Sequence, residues 1–149
     1  MVISENKDTA LHFPELPGGI SVEGAGRGGE TAASFPWLRD CPHLFYWGDM
    51  DAAGFEILNG FRDARLQVTS ILMDAPTYDV YQRFGTATDA HGDPLPVPPR
   101  RPLPHLTAAE RELYDRLTDP HWVGYRRIEQ ECIPLNHALR ALHAHLPVG

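Results

Sequence analysis

Cysteine is nearly absent: Cys41 and Cys132 are the only two in 149 residues, far apart and without a paired spacing. That pattern indicates neither a disulfide framework nor a thiolate zinc site, and both are read as inert or partly buried thiols. No uninterrupted apolar run approaches the ~20 residues that cross a bilayer, and the N-terminus lacks the basic-then-apolar layout of a signal peptide. The expected location is cytoplasmic. Positive charge is scarce as well. Thirteen Lys and Arg face twenty Asp and Glu, a formal charge of −7, and affinity for a polyanion comes largely from neutralising its phosphates. The chain alone is therefore expected to grip nucleic acid weakly unless a local patch, a metal or a partner supplies charge. Its length and a hydrophobic content of 42% fit one globular domain that buries about two thirds of its unfolded surface.

What the chain does carry is an abrupt change of character along Phe45-Tyr46-Trp47-Gly48-Asp49-Met50-Asp51. Residues 44–47 are bulky and strand-prone. From Ala52 the apolar positions Phe55, Ile57, Leu58 and Phe61 recur near helical spacing, so the pattern predicts a buried strand giving way to a helix that ends near Arg65. Asp49 and Asp51 lie on the junction. Ligands of open α/β sheets bind where strands feed helices, which makes the pair candidates for holding a hard cation. A plainer reading stands beside it, with Asp51 as a helix N-cap and Asp49 as a turn residue.

The chain opens on Val2-Ile3-Ser4, a short apolar run that ends at Glu5 and feeds a short helix from Asn6. A strand so close to Met1 reads as part of a longer protein whose missing portion lies upstream, or as a natural start at an edge strand. Residues 20–22 predict a second strand, followed by Gly24-Ala25-Gly26-Arg27-Gly28-Gly29 and a helix over 30–38. This is a Gly-x-Gly-x-x-Gly match with Asp49 about 20 residues on, so a dinucleotide-binding oxidoreductase fragment is a rival reading. Against it, the loop is glycine-dense enough to match by chance, Pro36 interrupts the helix, and the same N–H groups suit any phosphate backbone.

Residues 68–74 predict another strand ending in Asp74, where capping of the next helix is favoured because Pro76 suits an early helical position. Glu5, Asp49 and Asp74 then each close a strand. In a parallel sheet such ends share one edge, where Glu5, Asp49 and Asp51 can converge. Residues 85–105 are irregular and proline-dense; Pro96-x-x-Pro99-x-Arg101 has the form of an SH3 ligand, but an extended connector is the simpler reading. Thr107-Ala108-Ala109-Glu110 is a capping box for a helix to about Leu117, whose charges read as a solvated face. Arg126, Arg127, Glu129 and Glu131 precede a last helix carrying Leu135, Ala138, Leu139 and Leu142. These charges either extend the acidic site and its phosphate contacts or form a surface ion-pair cluster. His137, His143 and His145 lack the spacing for a shared metal and read as surface residues.

Five blocks in this order, Glu5-Asn6-Lys7, Gly24-x-Gly26, Tyr46-Trp47-Gly48-Asp49-x-Asp51-x-x-Gly54-Phe55-x-Ile57-Leu58, Ser70-Ile71-Leu72-Met73-Asp74 and Arg127-x-Glu129-Gln130-Glu131-x-Ile133-Pro134, make the chain resemble the C-terminal Toprim domain of JetD, the nuclease subunit of Wadjet plasmid-defence systems. The likeness covers nearly the whole chain. It implies an α/β, Rossmann-like Toprim fold with a mostly parallel central sheet flanked by helices and additional C-terminal helices, related to the A subunit of type IIB topoisomerases. We divide the chain into a Toprim core over 1–84, a Pro-rich irregular connector over 85–106 and a C-terminal helical part over 107–149 packed on the same domain. Carried over residue by residue, Glu5 matches the Toprim glutamate, and Asp49 and Asp51 match the metal-binding aspartates. Glu129-Gln130-Glu131 matches in sequence without an assigned role. The family's upstream winged-helix DNA-binding domains, where type IIB topoisomerases place their nucleophilic tyrosine, have no counterpart in these residues. Tyr46, Tyr78 and Tyr81 are accordingly assigned to packing or surface.

The function implied by the resemblance is Mg²⁺- or Mn²⁺-dependent hydrolysis of DNA strands within an SMC-type anti-plasmid complex. Asp49 and Asp51 would hold the metal, while Glu5 would complete its shell or act as general acid–base. DNA is expected to be held mainly through upstream domains, other Wadjet subunits are the expected partners, no membrane is involved, and a homodimer is allowed for the full-length protein. Two other classes remain. An oxidoreductase fragment would answer to NAD(P) through Trp37 or Trp47 fluorescence, and a catalytically silent interaction module would not gain melting temperature from calcium or manganese.

Overall fold

The computed structural model describes residues 1–24, 34–89 and 91–146. Strands β1 (Val2–Ser4), β2 (Ser21–Glu23), β3 (Leu44–Trp47) and β4 (Val68–Ser70) form a four-stranded sheet in the order β2-β1-β3-β4, every pairing parallel. The α/β class with a parallel sheet flanked by helices is as expected. β1 and β3 are buried along their whole length, which is why both read as continuous apolar runs rather than alternating ones. From β1 the chain crosses through α1 (Lys7–His12) to β2 on one side. From β3 it crosses through α3 (Ala52–Asp63) to β4 on the other, a short helix α2 (Pro36–Arg39) preceding β3. The connections diverge between β1 and β3, and the crevice at such a switch point is where open α/β sheets bind ligands.

Helix α3 starts where Asp51 Oδ1 accepts the Gly54 N–H at 2.8 Å, and its buried side chains Phe55, Leu58 and Phe61 pack on the sheet core. Two expected boundaries move. β4 stops at Ser70 because Leu72 turns the backbone left-handed at φ 57°. Asp74 thus lies beyond the strand and caps α4 (Ala75–Tyr81), accepting the Thr77 N–H at 2.9 Å. Of the helix expected over 30–38, the described part is α2, begun by Pro36 and ended at Arg39; Gly26, Gly28 and Gly29 of the glycine-rich loop lie outside the described residues.

Beyond α4, a 3₁₀ turn (Gln82–Phe84) leads into the irregular segment, which tucks Leu103 and Leu106 into the core. Helix α5 (Ala108–Thr118) has the expected capping box, but Glu110 is not on a solvated face. It is 3% exposed and takes a two-pronged contact from Arg62 of α3, at 2.6 and 2.8 Å, plus the Ser70 hydroxyl at 2.5 Å. A second 3₁₀ turn (Gln130–Cys132) and helix α6 (Leu135–His145) complete the described chain. Leu113, Leu117, Ile128, Ile133, Ala138 and Leu142 join Val2, Phe45 and Trp47 in one apolar cluster. No described helix is long and apolar enough to cross a membrane.

Candidate active site

The register of β1 on β3 sets Ser4 opposite Trp47, so the residues that follow each strand leave the sheet side by side. Glu5 Oε2 accepts the Asp49 backbone N–H at 3.1 Å and the Tyr46 hydroxyl at 3.1 Å. Gly48 permits this approach, since a Cβ there would overlap the Tyr46 hydroxyl and lie 2.6 Å from Glu5 Oε2. Asp49 Oδ1 accepts the Gln130 backbone N–H at 2.8 Å. Asp51 is buried at 7% exposure; its second oxygen meets Arg127 Nε at 2.9 Å while its first caps α3. The plainer reading of Asp51 as N-cap thus holds, and its charge also lies close enough to act on Glu5 and Asp49. Asp74 stands apart as a cap.

Residues 127–131 are laced across these strand ends. Met50 and Ile128 exchange backbone hydrogen bonds at 3.0 and 3.3 Å. The fully buried Gln130 donates to Ser4 Oγ at 2.7 Å and accepts the Asn6 N–H at 3.3 Å, and Asn6 in turn donates to Glu131 Oε1. Of the charges left open by sequence, Arg127 and Glu131 reach the site. Arg126 does not; its guanidinium binds the carbonyls of Leu117, Asp119 and Trp122. Gln130 and Tyr46 were the residues sequence reasoning missed. The only hint of Gln130 was an amide between two glutamates, and Tyr46 looked like simple packing. Tyr78 and Tyr81 are packed, the latter against His137, which is half-buried rather than on the surface.

The crowded carboxylates have electrostatic consequences. Burial pushes Asp49 up to about 7; the Gln130 N–H opposes this, and the charges of Glu5, Asp51 and Glu131 add to it. Burial likewise raises Glu5, with Asp51 adding and the Asp49 N–H opposing. Tyr46, buried beside Glu5, is held well above the usual phenol range and stays a hydrogen-bond donor. Burial would lower Arg127, but Asp51 and its neighbours outweigh that and raise it.

Among the described residues no three or more His, Cys, Asp or Glu side chains form a ready-made metal cage. The donor chemistry nonetheless suits a hard cation. Glu5 Oε1 and Asp49 Oδ2 make no hydrogen bond to a described residue, and Mg²⁺ is commonly held by one or two carboxylates, its remaining positions taken by water and substrate phosphate. Beside the acids runs a groove of about 360 Å³, lined by Asp51, Ala52 and Ala53, Arg126 and Arg127, and residues 95–99. A larger cavity of about 520 Å³ opens at the other ends of β3 and β4, away from the acids.

The family described as Wadjet protein JetD, C-terminal, matches residues 1–142. The chain belongs to that family. No curated protein matches it. Among JetD C-terminal domains, then, this chain sets Glu5 and Asp49 at the switch point of its sheet and closes the site from above with the segment that carries Arg127 and Gln130.

Proposed function

We propose that the chain is the Toprim catalytic domain of a divalent-metal-dependent DNA endonuclease that cuts plasmid DNA in an SMC-type Wadjet complex. One observation carries the reading: two chemically similar acids, 44 residues apart in sequence, meet across the switch-point crevice through the contact of Glu5 with the Asp49 N–H. Their ordinary fate in a core would be separation, because like charges in a partly buried site raise each other's pKa at a cost in stability. Such acids persist where a cation is meant to sit between them.

In this reading Glu5 and Asp49 offer oxygens to Mg²⁺ or Mn²⁺, and Asp51 joins them. The bound ion would neutralise phosphate charge and make its water a better nucleophile. Tyr46 orients Glu5 and Gln130 orients Asp49, so neither carboxylate has to be fixed during the reaction. Water adds to phosphorus, the bond to the leaving oxygen breaks, and a proton from water ends on that oxygen; Glu5 either completes the shell of the ion or serves as the general acid–base that carries this proton. DNA is held mainly by upstream domains, consistent with the net charge of −7. The test is plasmid cleavage by the complete protein. Glu5→Ala and Asp49→Ala are each expected to slow Mg²⁺- or Mn²⁺-dependent cutting about 10²-fold or more; undiminished cutting by either would defeat the proposal.

A further inference from the structure

We infer that Arg127 is a phosphate-positioning residue which, without substrate, latches Asp51 in the place of a cation; the inference rests on the metal-nuclease reading above. Arg127 Nε holds Asp51 Oδ2 at 2.9 Å, and the Arg127 side chain is about one-third exposed where it lines the groove beside the acids. Its backbone is fixed on both sides: the Arg127 carbonyl accepts the Thr86 N–H at 2.9 Å, and the adjoining Ile128 is paired with Met50. The guanidinium is thus the free part of an anchored residue, and it moves between Asp51 and the groove by side-chain rotation alone. The groove's other polar wall is the start of α3, where Ala52 and Ala53 stand in the first turn of a 12-residue helix. Backbone N–H groups there lack intrahelical partners and favour an anion. Arginine beside a helix N-terminus matches a phosphate of the nucleic-acid backbone, while the wall formed by Leu95, Pro96, Val97, Pro98 and Pro99 suits the apolar faces of sugar and base. Arg126 is the weaker candidate, since three of its five donors are held by the carbonyls of Leu117, Asp119 and Trp122. Glu5 and Asp49 would hold the ion that takes the reacting phosphate, and Arg127 holds a neighbouring phosphate. A cation taking the Asp51 oxygen would release the guanidinium for that phosphate, so metal uptake would ready the groove for the strand.

The test follows the Arg127 Nε–H resonance in ¹⁵N-labelled protein, assigned by its loss in Arg127→Lys. Mg²⁺ alone should shift this signal at the same concentrations that shift the Gln130 amide, which reports on Asp49. Adding the dinucleotide thymidylyl-thymidine in the presence of Ca²⁺ should shift it again, and Arg127→Gln should weaken binding of that dinucleotide about tenfold while tightening Mn²⁺ binding measured by electron paramagnetic resonance. A Gln130 amide that moves with Mg²⁺ while the Arg127 signal stays still would overturn the latch and leave the metal site standing. An Arg127 signal indifferent to the dinucleotide would overturn the phosphate role. If neither signal responds to Mg²⁺, the metal reading fails and the latch with it.

Discussion

Gln130 shows how much of the acidic site depends on a side chain with no charge. It is fully buried, and its amide spans Ser4 Oγ and the Asn6 N–H while its own backbone N–H holds Asp49. Leucine fills a similar volume but leaves the Asn6 N–H unpaired, while the Ser4 hydroxyl, which still donates to the Asn6 carbonyl at 3.0 Å, loses only the bond it accepts; a buried group left unpaired costs about 1–3 kcal/mol. Gln130→Leu is therefore expected to lower stability by about 1–3 kcal/mol, read from urea unfolding. A loss under about 0.5 kcal/mol would show that water replaces the amide and that the segment is not held by it. The same residue marks the limit of what the sequence discloses. Asp49 and Asp51 announce themselves because a β-prone run turns into a helical one at their position, a purely local signal. Gln130 acts over 124 and 126 residues of separation, on Asn6 and Ser4, and no periodicity records such a contact. Arg127 was legible as a charge but not as the partner of Asp51, for the same reason.

At the scale of elements, helix α3 contains two glycines with opposite roles. Glycine inside a helix costs about 1 kcal/mol relative to alanine. At Gly60 nothing stands within 4 Å of an added Cβ, so Gly60→Ala is expected to stabilise by up to about 1 kcal/mol. At Gly54 the added Cβ would collide with the Asp49 carbonyl oxygen, a backbone atom that cannot rotate aside. Gly54→Ala is expected to destabilise by about 1–3 kcal/mol despite the better helix former, and to displace Asp49 from the switch point. Thermal melts of the two variants side by side check the pair; a stabilised Gly54→Ala would mean that the strand-to-helix junction yields freely. Elements were the best-read level. Four strands, the Asp51 and Asp74 caps and the Thr107–Glu110 capping box follow from local composition, while their parallel pairing was what the family resemblance implied. The overlong β4 followed from the apolar run through Met73, in which the left-handed Leu72 gives no sign. Glu110 was misread because a capping-box glutamate is ordinarily solvated, and only the folded chain brings Arg62 and Ser70 to it.

Across the whole molecule two sets of carboxylates pull stability in opposite directions with pH. Asp49 is raised from an ordinary 3.8 to about 7, and Glu5 is raised as well. Between those limits the folded state holds a proton that the unfolded chain has released, so stability falls as pH rises through the window. Glu110 is lowered, mainly because Arg62 and Ser70 outweigh its burial. Its contribution is complete above the ordinary carboxyl range and is lost as pH falls through its depressed pKa. In a chelating buffer the two sets therefore oppose each other, Asp49 and Glu5 lowering stability as pH rises through their window and Glu110 lowering it as pH falls through its own. A divalent ion changes the upper arm alone, because a cation at Glu5 and Asp49 replaces the proton and binds only the folded state. Melting temperatures from about pH 5 to about pH 8 should fall in EDTA and flatten in Mg²⁺, and Asp49→Asn should flatten the EDTA curve without any metal. The asparagine oxygen can still accept the Gln130 N–H, so that variant removes the charge while keeping the contact that ties residues 127–131 to the strand ends. A wild-type curve that rises steadily across this range in EDTA would mean that Asp49 ionises without penalty, and that the acids at the switch point exert no mutual repulsion for a cation to relieve.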